Sequence, residues 1–124
     1  MSTLKVNNIQ DTSGGDTTLV SATNTAKVWL LYDHLNATIL NHYNVSSVDD
    51  NATGSMDINF VTALPSANYA VATSGSVQDN TTSAGHVADT NTTVYTTTAL
   101  RLHIYNTSGS FKDCQRVGVV IYGD

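Results

Sequence analysis

The stretch Ser47-Val48-Asp49-Asp50-Asn51-Ala52-Thr53-Gly54-Ser55-Met56-Asp57-Ile58-Asn59-Phe60-Val61 decides the fold class. Asp49 to Gly54 is turn chemistry: Asp and Asn side chains bond nearby backbone, and Gly reaches φ values closed to other residues. After it Met56, Ile58 and Phe60 alternate with Asp57 and Asn59, the period-2 pattern of a strand with one buried face. A turn beside such a strand predicts a β-hairpin.

Upstream, in KVWLLY, Lys27, Trp29 and Leu31 face one way and Val28, Leu30 and Tyr32 the other. Both faces are largely apolar, so this strand is expected to be covered twice, by a second sheet or by a neighbouring subunit. Trp29 is therefore read as a core or interface residue in preference to a ligand platform. A second strand is expected over Thr38–Val45, with Ile39, Tyr43 and Val45 on one face.

Downstream, Pro65 closes the hairpin unit, and Tyr69, Val71 and Thr73 open another alternating strand. Gly75–Asn91 has almost nothing to bury and reads as a long exposed loop, the kind of segment that carries function. Strand signals return from Thr92 through TVYTTT to ALRLHIY, where Leu100, Leu102 and Ile104 face away from Arg101, His103 and Tyr105. Tyr95 and Tyr105 have polar neighbours and are candidates for display. The last strand is expected at Val117–Tyr122. About seven short strands between turns predict an all-β domain, a β-sandwich or a partly closed barrel of antiparallel strands.

Composition agrees. The 124 residues include 19 Thr, 12 Ser and 12 Asn but no Glu, which favours pleated surfaces over helices. Residues 1–25 are polar, broken by Ser13-Gly14-Gly15, and carry only Leu4, Val6 and Ile9 as an alternating apolar piece. They read as an extended attachment arm, leaving 26–124 as one β-domain. Five Lys and Arg against ten Asp give a net charge of −5, with no basic footprint for nucleic acid. The apolar runs are too short to insert in a membrane as a helix, and the first residues lack the apolar core of a secretory signal.

The chemistry is sparse. His34, His42, His86 and His103 are far apart and have only Cys114 as a thiol companion, so no zinc pattern and no metal site is assigned. Asp49-Asp50-Asn51 and Gln78-Asp79-Asn80 offer oxygen ligands but lack the bidentate Glu of a calcium loop; turn formation is the expected role. No nucleophile elbow or acid–base pair is spaced for catalysis, so no catalytic residue and no cofactor is assigned. Six Asn-x-Ser/Thr matches, among them Asn36, Asn51 and Asn106, are unsurprising where Ser and Thr are 31 of 124 residues, and they are set aside.

MSTLKVNNIQDTSGG at the start, AKVWLLYD, YNVSSVDDNATGSMDINFVTALPSANYAV and the closing IYNTSGSFKDCQRVGVVIYGD together resemble short tail-fibre proteins of marine and cyanobacterial phages. The opening motif, the NVSS-x-x-DN-x-TG hairpin, the F-x-TA-x-P-x-ANY segment and the terminal Gly-Asp occur in that family's order. Where the family commonly reads WVNFNGTGT, this chain has WLLYDHLNAT, without the glycines. The resemblance implies a virion structural protein made in the host cytoplasm, homotrimeric, attached through its arm to other virion proteins and exposing its β-domain to the host surface. It brings no catalytic residues. The loop is then expected to read a receptor, such as a host glycan, through Gln78, Asp79, Asn80, His86 and Asp89. A capsid-decorating or head-fibre protein and a lectin-like carbohydrate-binding module are the alternatives.

Overall fold

The computed structural model describes residues 26–76 and 87–123, with side chains from 94 onward in the second segment. Eight strands form two antiparallel sheets and no helix occurs among the described residues, so none crosses a membrane. The strands are β1 (Val28–Asp33), β2 (Thr38–Tyr43), β3 (Val45–Ala52), β4 (Ser55–Phe60), β5 (Tyr69–Gly75), β6 (Val87–Tyr95), β7 (Ala99–Tyr105) and β8 (Val117–Gly123). The sheet orders are β2-β1-β8-β5 and β3-β4-β7-β6. Neither closes on itself, so of the two architectures expected the sandwich is the one formed.

The core is written in alternation. Val28, Leu30 and Tyr32 from β1 and Val117, Val119 and Ile121 from β8 meet Met56, Ile58 and Phe60 from β4 and Leu100, Leu102 and Ile104 from β7. Each such buried side chain is worth roughly 1.5–3 kcal/mol of transfer free energy. The strands that supply them are the central pairs of the two sheets, β1–β8 and β4–β7.

The hairpin turn is tighter than the sequence suggested. Asp49, Asp50 and Asn51 belong to β3, and Ala52 pairs with Ser55 across Thr53-Gly54 alone. Gly54 takes φ +66°, and its peptide is gripped from both sides. Its carbonyl accepts from Ile104 N–H (2.9 Å) and its N–H donates to Asp113 Oδ1 (2.8 Å). A Cβ there would lie 2.6 Å from the Ile104 carbonyl oxygen and 2.8 Å from Lys112 N.

The expected strand Thr38–Val45 is two strands. Asn44, at φ +57°, breaks it and sends β2 to one sheet and β3 to the other. Its side chain holds the crossing: Nδ2 donates to the carbonyls of Lys27 and Thr62 (both 3.1 Å), and Oδ1 accepts from Thr62 N–H (2.8 Å). Tyr43 therefore stands on the outer face opposite Trp29, whereas Val45 is in the core.

The exposed loop expected over Gly75–Asn91 is also shorter. Gly75 ends β5, and β6 already begins at Val87, so the last five residues of the expected loop belong to a strand. β6 is an edge strand beside β7, and an edge strand carries polar residues as readily as a loop does, so a missing apolar alternation does not exclude a strand there. Leu4, Val6 and Ile9 of the arm, and Gln78, Asp79, Asn80 and His86 of the loop, lie outside the described residues.

Candidate functional site

The outward residues of the two sheets differ in kind. On the β3-β4-β7-β6 sheet, cross-strand rows run Ser47–Asn59–Ala99 and Asp49–Asp57–Arg101. A third row joins Ala52, Ser55 and His103, and Tyr105 follows on β7. β6 sets Asn91 opposite Arg101, Asp89 opposite His103 and Val87 opposite Tyr105. Of the five loop residues singled out in the sequence, Asp89 is thus placed by its backbone at the edge of this face.

The polar part of the face is fixed by its own bonds. Arg101 grips Asp57 with two charge-assisted hydrogen bonds, Nε to Oδ1 (2.6 Å) and Nη2 to Oδ2 (2.7 Å). That guanidinium, helped by Asn51, holds the Asp57 carboxyl below the usual carboxylate range against the opposing effect of its partial burial. Beside it Asn59 Nδ2 donates to Ser47 Oγ (3.0 Å) and Asp49 Oδ2 (2.9 Å).

At one end stands an aromatic cluster. Phe111, 46% exposed, lies on Tyr105 with ring centroids 4.7 Å apart and planes 31° from parallel. His103 meets the Phe111 ring edge to face at 5.3 Å, and His103 Nδ1 is 3.2 Å from Tyr105 Oη. The backbone explains why Phe111 is there. It bridges to Tyr105, and the next residue, Lys112, donates to the Ile104 carbonyl (3.0 Å), folding the β7–β8 connection back over the sheet. Tyr105, expected to be displayed, lies on the outward side of β7 but is partly buried, with Phe111 packed on it. Phe111 had no periodic signal, since it lies between strands; only its size in a polar stretch marked it.

Tyr95, the other tyrosine expected to be displayed, is used differently. It stacks on Tyr69 of β5 at 4.4 Å and 15°, and its hydroxyl donates to the Tyr69 carbonyl, while Tyr69 Oη donates to the Thr96 carbonyl (2.9 Å). The pair fastens the two sheets together at β5 and β6. Burial, with the Tyr95 hydroxyl close by, pushes the Tyr69 phenol up to about 12.

The outward face of the β2-β1-β8-β5 sheet is apolar. Its rows are Tyr43–Trp29–Val120–Ala72 and Asn41–Leu31–Gly118–Ser74, with Tyr122 and Ala70 continuing it. A shallow groove of about 360 Å³ runs over Gly118 between Trp29, Val120, Ala72 and Ser74. A second groove, of about 590 Å³, lies where the described chain enters β1, between Lys27, Tyr43, Asn44, Val61 and Leu64.

Of the four histidines, His34 is buried between two carboxylates. Nε2 is 3.2 Å from Asp50 Oδ1, and Nδ1 is 3.4 Å from Asp113 Oδ1 without the alignment of a hydrogen bond. Asp113 also holds Gly54, so this corner ties the β1–β2 turn, β3 and the β7–β8 connection into one structural knot. Cys114 is buried beside it, and burial, with the Asp113 charge, pushes its thiol up to about 11. Among the described residues no group of three or more His, Cys, Asp or Glu side chains is arranged to hold a metal ion.

No family model matches the chain, and no match was found among curated proteins. Among solved structures it is similar to the phiAB6 tailspike, crystallised in complex with three-repeated oligosaccharides of Acinetobacter baumannii surface polysaccharide. The TM-score is 0.56 at 15% identity, over 98% of this chain and 28% of the tailspike chain. The likeness is one of fold, and this chain spans less than a third of the tailspike's length.

Proposed function

We propose that the chain is an attachment subunit of a phage tail, a short tail-fibre or tail-tip protein that works in the virion as a homotrimer. In this reading the β3-β4-β7-β6 face binds a saccharide of the host surface, and the first 25 residues attach to neighbouring virion proteins. The observation that carries the reading is that face itself. A rigid lattice of amide, carboxylate and guanidinium groups surrounds an exposed aromatic ring, the combination that binds a sugar by stacking its C–H face and bonding its hydroxyls. The resemblance to short tail fibres and the tailspike-like fold support it.

The proposed event is binding without cleavage. A glycosidic oxygen is protonated by a carboxyl whose affinity for protons is raised; Asp57 is lowered by Arg101 and is poorly suited to that role. The segment joining β5 to β6, with Gln78, Asp79, Asn80 and His86, leads into β6 and to Asp89, and in this reading it borders the bound sugar.

The test is binding of oligosaccharides prepared from host surface polysaccharide, measured by calorimetry on the wild type, Phe111→Ala and Tyr105→Ala. Loss of one aromatic stacking surface, worth about 1.4 kcal/mol or more, weakens binding about tenfold or more. Unchanged affinity in both folded variants would overturn the assignment of the face. Absence of saccharide binding by the wild type, together with undiminished host adsorption of phage in the presence of these oligosaccharides, would overturn the function.

A further inference from the structure

We propose that the outer face of the β2-β1-β8-β5 sheet is where copies of this chain meet, the β2 edge of one copy seated in the groove over Gly118 of the next. The proposal rests on the reading of the chain as an oligomeric fibre subunit and specifies which surface joins the copies.

Charge selects the occupant. The chain carries a net charge of −5, so two copies carry a net mutual repulsion. The rows Tyr43–Trp29–Val120–Ala72 and Asn41–Leu31–Gly118–Ser74 contain no ionisable group that is charged at neutral pH, and they offer a place where two copies approach without that repulsion. Between Lys27 at one margin and Asp33 at the other, a charged partner finds nothing to pair with on these rows, and a sugar finds few hydrogen-bonding groups beyond Asn41 and Ser74. Tyr43 and Tyr122, 56% and 45% exposed, extend an apolar surface of the kind that marks protein contact sites.

Shape sets the geometry. The β1–β2 pairing slips between Leu31 and Tyr32, which leaves Leu40 out of the pairing with β1 and 45% exposed on the same edge strand as Tyr43. Across the sheet the small residues Ala72, Ser74 and Gly118 form the groove of about 360 Å³. Even one added carbon at residue 118 would fall 2.5 Å from Ser74 Oγ. Large residues at one edge and small ones across the sheet fit each other on different copies. Each copy then uses its edge on one neighbour and its groove on the other, a heterologous contact that closes into a ring, of three copies in the fibre reading.

Trp29 is the only tryptophan in the chain and forms one wall of the groove, so its emission reports on this face directly. The experiment is sedimentation of the full chain with Trp29 fluorescence over a dilution series, for the wild type, Leu40→Glu and Ala72→Arg. The wild type is expected at three chain masses, with an emission that shifts to the red on dilution in step with dissociation. Each variant is expected as a folded monomer by circular dichroism, with red-shifted emission at all concentrations. Should Ala72→Arg fail to fold, Leu40→Glu, at an exposed bulge, decides alone. A wild type that is monomeric throughout overturns the oligomer reading and the proposal together. An oligomer that survives in both variants overturns the proposal and leaves the oligomer reading standing. Emission that responds to added oligosaccharide and not to dilution assigns the groove to a sugar and also overturns the proposal.

Discussion

Replacing Gly54 with Ala tests whether the β3–β4 turn is held by backbone on both sides. Two costs add. Placing an L-residue in the left-handed region costs about 1–2 kcal/mol. The new Cβ also meets Ile104 O at 2.6 Å and Lys112 N at 2.8 Å, backbone atoms that cannot rotate away; overpacking of this kind costs about 1–3 kcal/mol. The sum, about 2–5 kcal/mol, is a large part of the roughly 5–15 kcal/mol that a domain of this size has. Gly109 supplies the control: it takes φ +79°, and a Cβ there meets nothing within 4 Å, so Gly109→Ala carries the backbone cost alone. Urea unfolding at one fixed protein concentration, with an unchanged m-value, gives both numbers. Gly54→Ala is expected to lose at least 1 kcal/mol more than Gly109→Ala. Equal losses would refute the close approach described for this turn.

Asp57, lowered by Arg101, contributes stability that is fully present above the unfolded Asp value near 4 and is lost as pH falls through the folded value. Asp57→Asn is expected to flatten that acid limb in melts taken from pH 6 to pH 2, and a wild-type limb left intact by the substitution would refute the assignment. Tyr69 acts at the other end of the scale: its contribution is full below about pH 10 and is lost as pH rises towards 12, so absorbance titration should show a tyrosine component that ionises only near pH 12 and is absent from Tyr69→Phe. Tyr95→Phe removes the hydroxyl bonded to the Tyr69 carbonyl and should cost about 1 kcal/mol in chemical denaturation. Cys114, buried and with its thiol near 11, should react with a disulfide reagent at pH 8 only at the rate of unfolding; prompt labelling of native protein would contradict its burial.

Alternation made the sandwich legible. Met56-Ile58-Phe60 and Leu100-Leu102-Ile104 project onto one core because the period of a strand is two, and no tertiary knowledge is needed to see it. The crossing at Asn44 was hidden, because a single residue with positive φ reroutes the chain without disturbing the apolar pattern around it. Only the start of β6, ahead of the strand expected from Thr92, was hidden, and for a different reason: β6 is an edge strand, and edge strands carry polar residues as readily as loops do. The aromatic end of the candidate site was half visible. Tyr105 stood out in its strand, whereas Phe111 reaches the face through the Lys112–Ile104 backbone bond, a link between a loop and a strand that periodicity does not encode.

The place of β8 bears on how the molecule comes to be made. It is the last in sequence of the eight described strands, yet it lies between β1 and β5, with Val28 paired to Ile121. The β3–β4 and β6–β7 hairpins are local, and β7 can join β4 as soon as it emerges, so one sheet can assemble during synthesis. The first sheet must wait, its β1–β2 ribbon and β5 holding open hydrogen-bonding edges until β8 has left the ribosome. Such late, long-range closure makes for slow folding, and it exposes unpaired strand edges while neighbouring copies are being translated.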